Sequence, residues 1–255
     1  MRPGHLACPG CGHAIGVRMV LRALGERTIV VIVPSCVAVI SGPFPNAAFG
    51  VPAFHSAFEI AAPTAAGISS ALKIQGVEDV SVVAFAGDGG TFDIGLQSLS
   101  GAADRNEDFI YVCMDNEAYM NTGIQVSSAT PRFAWTGTSP AGNTRRKKHI
   151  MEIMAAHRIP YAATASIGPT GWKMGEHMSP VAAAAAVETN IFPLYEIVDG
   201  VHYRLTYRSQ NLPVETYLAM QGRFKHLGEE EIQAIQAETD RAWALLQSRA
   251  DNEMG

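Results

Sequence analysis

Two short runs, Thr28-Ile-Val-Val-Ile-Val33 and Val80-Ser-Val-Val-Ala-Phe-Ala86, are apolar almost without interruption and rich in β-branched residues. A strand with one wet face alternates; a strand that is apolar throughout is covered on both faces, which is the condition of a parallel sheet sandwiched by helices. Helical periodicity separates these runs. It is visible over Ala14–Leu24, ending at Gly25, and over a segment opened by Ser56-Ala-Phe-Glu59 that continues to about Lys73. The Ser-x-x-Glu spacing predicts a capping box at that opening. Further helices are predicted over Phe92–Ala103, His149–His157, from Ser179-Pro180 onward and over Glu229–Ser248, and further strands over Phe109–Met114, Tyr161–Ser166 and Leu194–Val198. Ser35–His55 and Glu117–Thr144 read as long structured loops, and a loop of that length in a compact domain is usually functional. The alternation predicts an α/β fold with a mainly parallel sheet flanked by helices, in one domain over residues 1–255.

Composition narrows the functional classes. The net charge of −5 argues against nucleic-acid and membrane-surface binding. The one basic run, Arg145-Arg-Lys-Lys148, reads as the solvated start of a helix. No apolar stretch reaches membrane-spanning length. Charged residues make up only 17%, against about 25% in an ordinary soluble domain, so other subunits are expected to cover much of the surface. Four cysteines are too few for a disulfide framework, and Cys8-Pro-Gly-Cys11 has a metal or redox spacing. Both points suggest a reducing cytoplasm.

The chemistry concentrates at two strand ends. Gly87-Asp-Gly-Gly90 follows one predicted strand and opens a helix, and Asp115-Asn116 follows the next, with Asn116 28 residues after Asp88. A right-handed crossover brings both ends to the same edge of the sheet, where open α/β sheets bind ligands. A carboxylate and an amide oxygen beside a glycine-lined helix N-terminus suit a diphosphate chelated by Mg²⁺, which takes few protein oxygens.

This pairing resembles the thiamine diphosphate signature. Gly87-Asp-Gly-Gly-Thr-Phe-Asp-Ile-Gly95 followed by Asp115-Asn-Glu-Ala-Tyr-Met-Asn-Thr-Gly-Ile-Gln125 is similar to the β subunits of the 2-oxoacid:ferredoxin oxidoreductases, of which pyruvate:ferredoxin oxidoreductase is one. Cys8-Pro-Gly-Cys-Gly12, His55-Ser-Ala-Phe-Glu59, His157-Arg-Ile-Pro-Tyr161, Pro169-Thr-Gly-Trp172 and Gln221-Gly-Arg-Phe-Lys-His226 extend the resemblance over nearly the whole chain. It implies the thiamine diphosphate-binding fold and oxidative decarboxylation of a 2-oxoacid with coenzyme A, with electrons passing through a [4Fe–4S] cluster to ferredoxin. It also implies partner α and γ/δ subunits that carry the rest of the active site. By position, Asp88, Asn116 and the Ala118 carbonyl would bind Mg²⁺, and Gly87, Gly89 and Gly90 would wrap the diphosphate. Asn121 and Thr122 would lie beside the thiazolium and substrate, with His55 nearby, and Cys8, Cys11 and Cys36 would be cluster ligands. Two other readings stay open: a non-oxidative thiamine-dependent lyase or transferase, and a zinc-stabilised assembly subunit in which His5 or His13 completes the Cys8–Cys11 pair.

The chain departs from the family in two ways. Val126 stands where relatives commonly carry arginine, and Phe49-Gly-Val-Pro52 replaces an aromatic-rich stretch, so branched-chain, aryl and other 2-oxoacids are open beside pyruvate. Relatives also have a further helix and strand ending in Pro-Cys, the fourth cluster ligand, just before the segment matching Pro169-Thr-Gly-Trp172. Here Ile167-Gly168 closes that gap directly, and Gly168 stands in the cysteine's place. The one remaining cysteine, Cys113, lies in a predicted strand and reads as a buried structural thiol.

Overall fold

The structure, a computed structural model, describes residues 1–43, 45, 47–167 and 180–251. They group into two compact units, one of residues 1–130 with 146–148 and one of residues 131–145 with 149–255.

The first unit is built on a four-stranded parallel sheet in the order β2-β1-β3-β4. Its strands are β1 (Thr28–Ile32), β2 (Ala53–His55), β3 (Ser81–Gly87) and β4 (Ile110–Met114). Both faces of β1 and β3 are covered, as the continuous apolar runs require. Val30, Ile32, Val83 and Phe85 pack with Val17 and Leu21 of helix α1 (Gly12–Leu24). Val31, Val33, Val82 and Ala84 pack with Ala61 and Ala65 of α3 (Ala61–Ile74). Fully burying one such Val or Leu side chain contributes roughly 1.5–3 kcal/mol, so the two faces together anchor the sheet. Helix α1 stops at Gly25, whose φ of 79° ends it at no steric cost.

The helix predicted to open at Ser56 begins at Ala61 instead. Pro63 decides this: it lacks an N–H, which a first turn tolerates and a helix interior does not. Ser56 forms no capping box and pairs with the Thr64 hydroxyl at 2.8 Å. The loop expected over Ser35–His55 contains two elements, the short helix α2 (Cys36–Ser41) and the strand β2. After β3 the chain runs through a π-helical turn, Gly89–Ile94, into α4 (Leu96–Asp104).

In the second unit the sheet is antiparallel, in the order β5-β6-β7, so the parallel expectation holds for the first unit only. Its strands are β5 (Tyr161–Ala163), β6 (Tyr195–Val198) and β7 (His202–Leu205), the last without a counterpart among the predicted strands. Asp199 and Gly200, both at positive φ, turn β6 into β7. Helix α5 (Ile150–Ala156), α6 (Pro180–Glu188), α7 (Glu215–Leu218) and α8 (Glu229–Asp251) complete the unit. The apolar stripe of α8 divides between two cores: Ile232 and Ile235 join one, and Trp243 and Leu246 the other. Ser179, Gly168 and Pro169–Trp172 lie outside the described residues.

Candidate thiamine diphosphate and cluster site

Parallel pairing of β3 with β4 sets Gly87 opposite Met114. The next residue of each strand, Asp88 and Asp115, therefore leaves the sheet at the same edge. Pairing of β1 with β2 sets Ile32 opposite His55, so Cys36 and His55 follow from that edge too. His55 is exposed and its Nε2 lies 3.4 Å from Ser41 Oγ.

Asp88 is buried, 2% exposed, and its Oδ2 accepts a hydrogen bond from Ser127 Oγ at 2.5 Å. Burial, together with the Asp115 charge, pushes its carboxyl up to about 7. A carboxylate so placed calls for a cation. One end of the Asn116 amide lies 2.9 Å from the Ala118 carbonyl oxygen and 3.0 Å from Asp88 Oδ1. With nitrogen at that end, the amide donates to both oxygens. With oxygen there, three oxygens meet with no proton between them, and Asn116 Nδ2 donates to Cys36 Sγ at 3.4 Å. Oxygens about 3 Å apart are the cis edges of an octahedron whose centre is roughly 2.0–2.1 Å from each, the Mg²⁺ distance. The second orientation is thus the one an ion would impose, and these residues fit Mg²⁺. The set contains a single carboxylate. Among the described residues no three His, Cys, Asp or Glu side chains gather tightly enough to hold an ion.

Two of the three glycines named from sequence are explained by neighbours. A side chain at Gly89 would run into the Tyr119 ring, and one at Gly90 would come within 3.2 Å of Phe58. Tyr119 OH in turn donates to Asp93 Oδ2 at 2.9 Å. A side chain at Gly87 would only touch Ser35, at 3.4 Å. Asn121 and Thr122 are both exposed, in the loop after β4. Asn121 Oδ1 accepts from Cys36 Sγ at 3.4 Å, whereas Thr122 is engaged within its own turn, its Oγ1 donating to Gln125 Oε1 at 2.6 Å.

All four cysteines are free thiols. The Cys11 N–H donates to the Cys8 carbonyl at 3.1 Å, so this pair closes a tight turn. Burial pushes the Cys36 thiol up, and the charges of Cys11 and Cys8 push it further. A [4Fe–4S] cluster takes four thiolates, and the family resemblance names these three for it. Cys113 does not join them: it sits in β4, where burial strongly raises its pKa. His13, one of the two histidines weighed for zinc, is buried and its pKa is lowered by desolvation; its Nδ1 has no hydrogen-bond partner.

Sequence reasoning missed Ser127 and Tyr119, which hold the site from the loop after β4, and it misread the basic run. Lys147 is not on a solvated helix start. Its ammonium lies 2.6 Å from Asp115 Oδ2 and 3.1 Å from Glu117 Oε1, and Lys148 Nζ donates to the Phe92 carbonyl at 2.6 Å.

Comparison with known proteins identifies the family. Residues 36–191 match the thiamine pyrophosphate enzyme family, C-terminal TPP binding domain. The chain is 47% identical to pyruvate synthase subunit PorB of Methanothermobacter thermautotrophicus, over 94% of each chain. It is 41% identical to ketoisovalerate oxidoreductase subunit VorB of Pyrococcus furiosus, over 97% of this chain and 92% of the relative. Among solved structures, a 2-oxoglutarate:ferredoxin oxidoreductase from Magnetococcus marinus matches with a TM-score of 0.52 and 26% identity, over 64% of this chain and 57% of that one. The PorB alignment spans 273 positions, whereas 94% of these 255 residues is about 240, so about thirty positions of the relative have no counterpart here. No described helix is long and apolar enough to cross a membrane. Strand-end chemistry, family model and relatives converge: the chain belongs to the thiamine diphosphate-binding subunits of the 2-oxoacid:ferredoxin oxidoreductases.

Proposed function

We propose that this chain holds thiamine diphosphate and Mg²⁺ in an enzyme that decarboxylates a 2-oxoacid oxidatively, delivering acyl-CoA and CO₂, and passes the electrons through an iron–sulfur cluster to ferredoxin. The observation that carries the reading is the meeting of Asp88 Oδ1, the Asn116 amide and the Ala118 carbonyl at the edge of a parallel sheet. In this reading those three groups hold Mg²⁺, and the Gly87–Gly90 turn carries the diphosphate. Bound thiamine diphosphate supplies the carbanion chemistry of decarboxylation, and the protein supplies position and charge. Ser127 fixes one Asp88 oxygen, leaving the other for the ion.

Cys8, Cys11 and Cys36 are the thiolates for the cluster. Asn116 touches both halves of the site, with one end of its amide on the metal ligands and the other on Cys36 Sγ. Asn121 reaches the same sulfur, which in this reading puts it beside the cluster. A reducing cytoplasm is the compartment that keeps such thiols available. Partner α and γ/δ subunits complete the active site, and coenzyme A and ferredoxin are the acyl and electron acceptors.

Iron and thiamine analysis of the purified protein tests this. Both are expected. Thiamine without iron would point to a non-oxidative lyase or transferase, and neither would leave a zinc-stabilised assembly subunit. Relatives named for pyruvate and for ketoisovalerate both align over most of the chain. A panel of straight, branched and aryl 2-oxoacids, read by viologen reduction with the full complex, identifies the substrate.

A further inference from the structure

Glu117 occupies the position between two of the residues assigned to Mg²⁺, Asn116 and Ala118, and its φ is +66°. A left-handed residue there reverses the chain so that the Asn116 side chain and the Ala118 carbonyl point to one place. For a non-glycine residue that conformation is disfavoured roughly tenfold or more, so its surroundings must hold it. Three contacts do. The Glu117 N–H donates to Asp115 Oδ1 at 2.8 Å, the Glu117 carbonyl accepts from Thr130 Oγ1 at 2.7 Å, and the Glu117 carboxylate pairs with Lys147 at 3.1 Å. Lys147 also pairs with the other oxygen of Asp115, at 2.6 Å, so one ammonium ties the side chain of Glu117 to the residue that binds its N–H.

This is not an exposed ion pair of negligible worth. The Lys147 side chain is 28% exposed and its two carboxylate partners 14% each, and the ammonium lies 5.8 Å from the centre of the Phe92 ring. Without it, the Asp115 and Glu117 carboxylates, two residues apart, would lose the cation they share, close to the buried Asp88. Breaking such a network by removing one partner is strongly unfavourable.

We propose that Lys147 is a positioning residue of the cofactor site: it locks Glu117 in the left-handed conformation that aims Asn116 and Ala118 at the ion. The proposal rests on the thiamine diphosphate and Mg²⁺ reading above. Lys147 touches neither ion nor cofactor and acts through Glu117.

The test is calorimetric titration of Mg²⁺ into the full chain, co-purified with its companion subunits and saturated with thiamine diphosphate. Lys147→Met is expected to weaken Mg²⁺ binding at least about tenfold with an unchanged circular dichroism spectrum, and Lys147→Arg to recover most of it. The backbone claim is read from second changes at Glu117 in the Met variant. Glu117→Gly, free to adopt positive φ, should restore binding, whereas Glu117→Gln, which removes the charge and keeps the strain, should not. Equal recovery by Gly and Gln, or Lys147→Met within twofold of the natural chain, overturns the proposal. If Lys147→Met fails to fold, the comparison moves to single variants: Glu117→Ala should bind Mg²⁺ about tenfold more weakly than Glu117→Gly, and equality overturns it. A natural chain that binds neither Mg²⁺ nor thiamine diphosphate removes the functional reading itself, a different result from a silent Lys147 variant.

Discussion

Asp88 illustrates how one side chain can be costly to the fold and necessary to the site. Its carboxyl is buried, and burial with the Asp115 charge raises it to about 7 from 3.8. An acid whose folded pKa is raised binds its proton more tightly in the fold than in the unfolded chain. Its contribution to stability is full below the unfolded value and is lost as pH rises through the folded value. The metal-free protein should therefore lose stability between about pH 4 and pH 7, and Asp88→Asn should lack that loss. The same variant should retain no thiamine diphosphate after gel filtration, because its amide cannot balance the ion's charge. Melting curves from pH 4 to 8 and cofactor analysis read the two effects separately, and an Asp88→Asn protein that keeps its cofactor would refute the metal assignment. Cys113 is the opposite case. Burial raises its thiol strongly, so almost none is thiolate at neutral pH. A native alkylation experiment should label Cys8, which is exposed, and leave Cys113 unmodified until the protein is unfolded. Rapid labelling of Cys113 would reopen it as a cluster ligand.

Secondary structure was legible wherever burial wrote a period into the sequence. Strands β1, β3 and β4 and helices α1 and α8 lie within a few residues of their predicted bounds, because each presents a long apolar run or stripe to a core. Strand β2 was not legible, for a physical reason: Ala53, Phe54 and His55 are all exposed on the sheet's edge, so no inward pattern exists to read. Strand β7 was missed although Asp199-Gly200, a strong hairpin signal, precedes it; the polar His202-Tyr-Arg-Leu205 masked the alternation. In the site, Asp88 and Asn116 were legible because parallel register carries their spacing to one edge. Lys147, Ser127 and Tyr119 return to that edge from a long loop, and no local pattern encodes a return. The hairpin offers a test of how tightly its turn is held. Gly200 has φ +70°, and a side chain there would run into the Ala155 carbonyl and come within 2.8 Å of Arg158 Cα. Gly76 has φ +72° with nothing within 4 Å. Gly76→Ala should cost about 1–2 kcal/mol from backbone strain alone, and Gly200→Ala about 1–3 kcal/mol more from the clash. Urea unfolding measures both, and equal losses would show that the packing around Gly200 yields.

The chain carries less charge than an ordinary soluble domain. With 17% charged residues it still exposes large apolar side chains, among them Ile74 at 88%, Met19 at 62% and Leu6 at 58%. Such surface is what partner subunits cover, and the PorB and VorB relatives are themselves named as subunits. The isolated, cluster-loaded chain is expected to turn over no 2-oxoacid; measurable viologen reduction by it alone would contradict this. The missing length bears on the cluster. About thirty positions of the PorB relative have no counterpart here, and the resemblance puts a helix, a strand and the fourth cluster cysteine in one such gap, at Ile167-Gly168. A chain that had truly lost a strand would have to protect the sheet edge and apolar surface left behind. An inserted segment at this junction would raise the mass above the 27.2 kDa of these 255 residues and give the cluster four thiolate ligands. An intact mass of 27.2 kDa would instead establish the short junction as genuine. The cluster would then hold only Cys8, Cys11 and Cys36, and one iron should be lost to a chelator well before the other three.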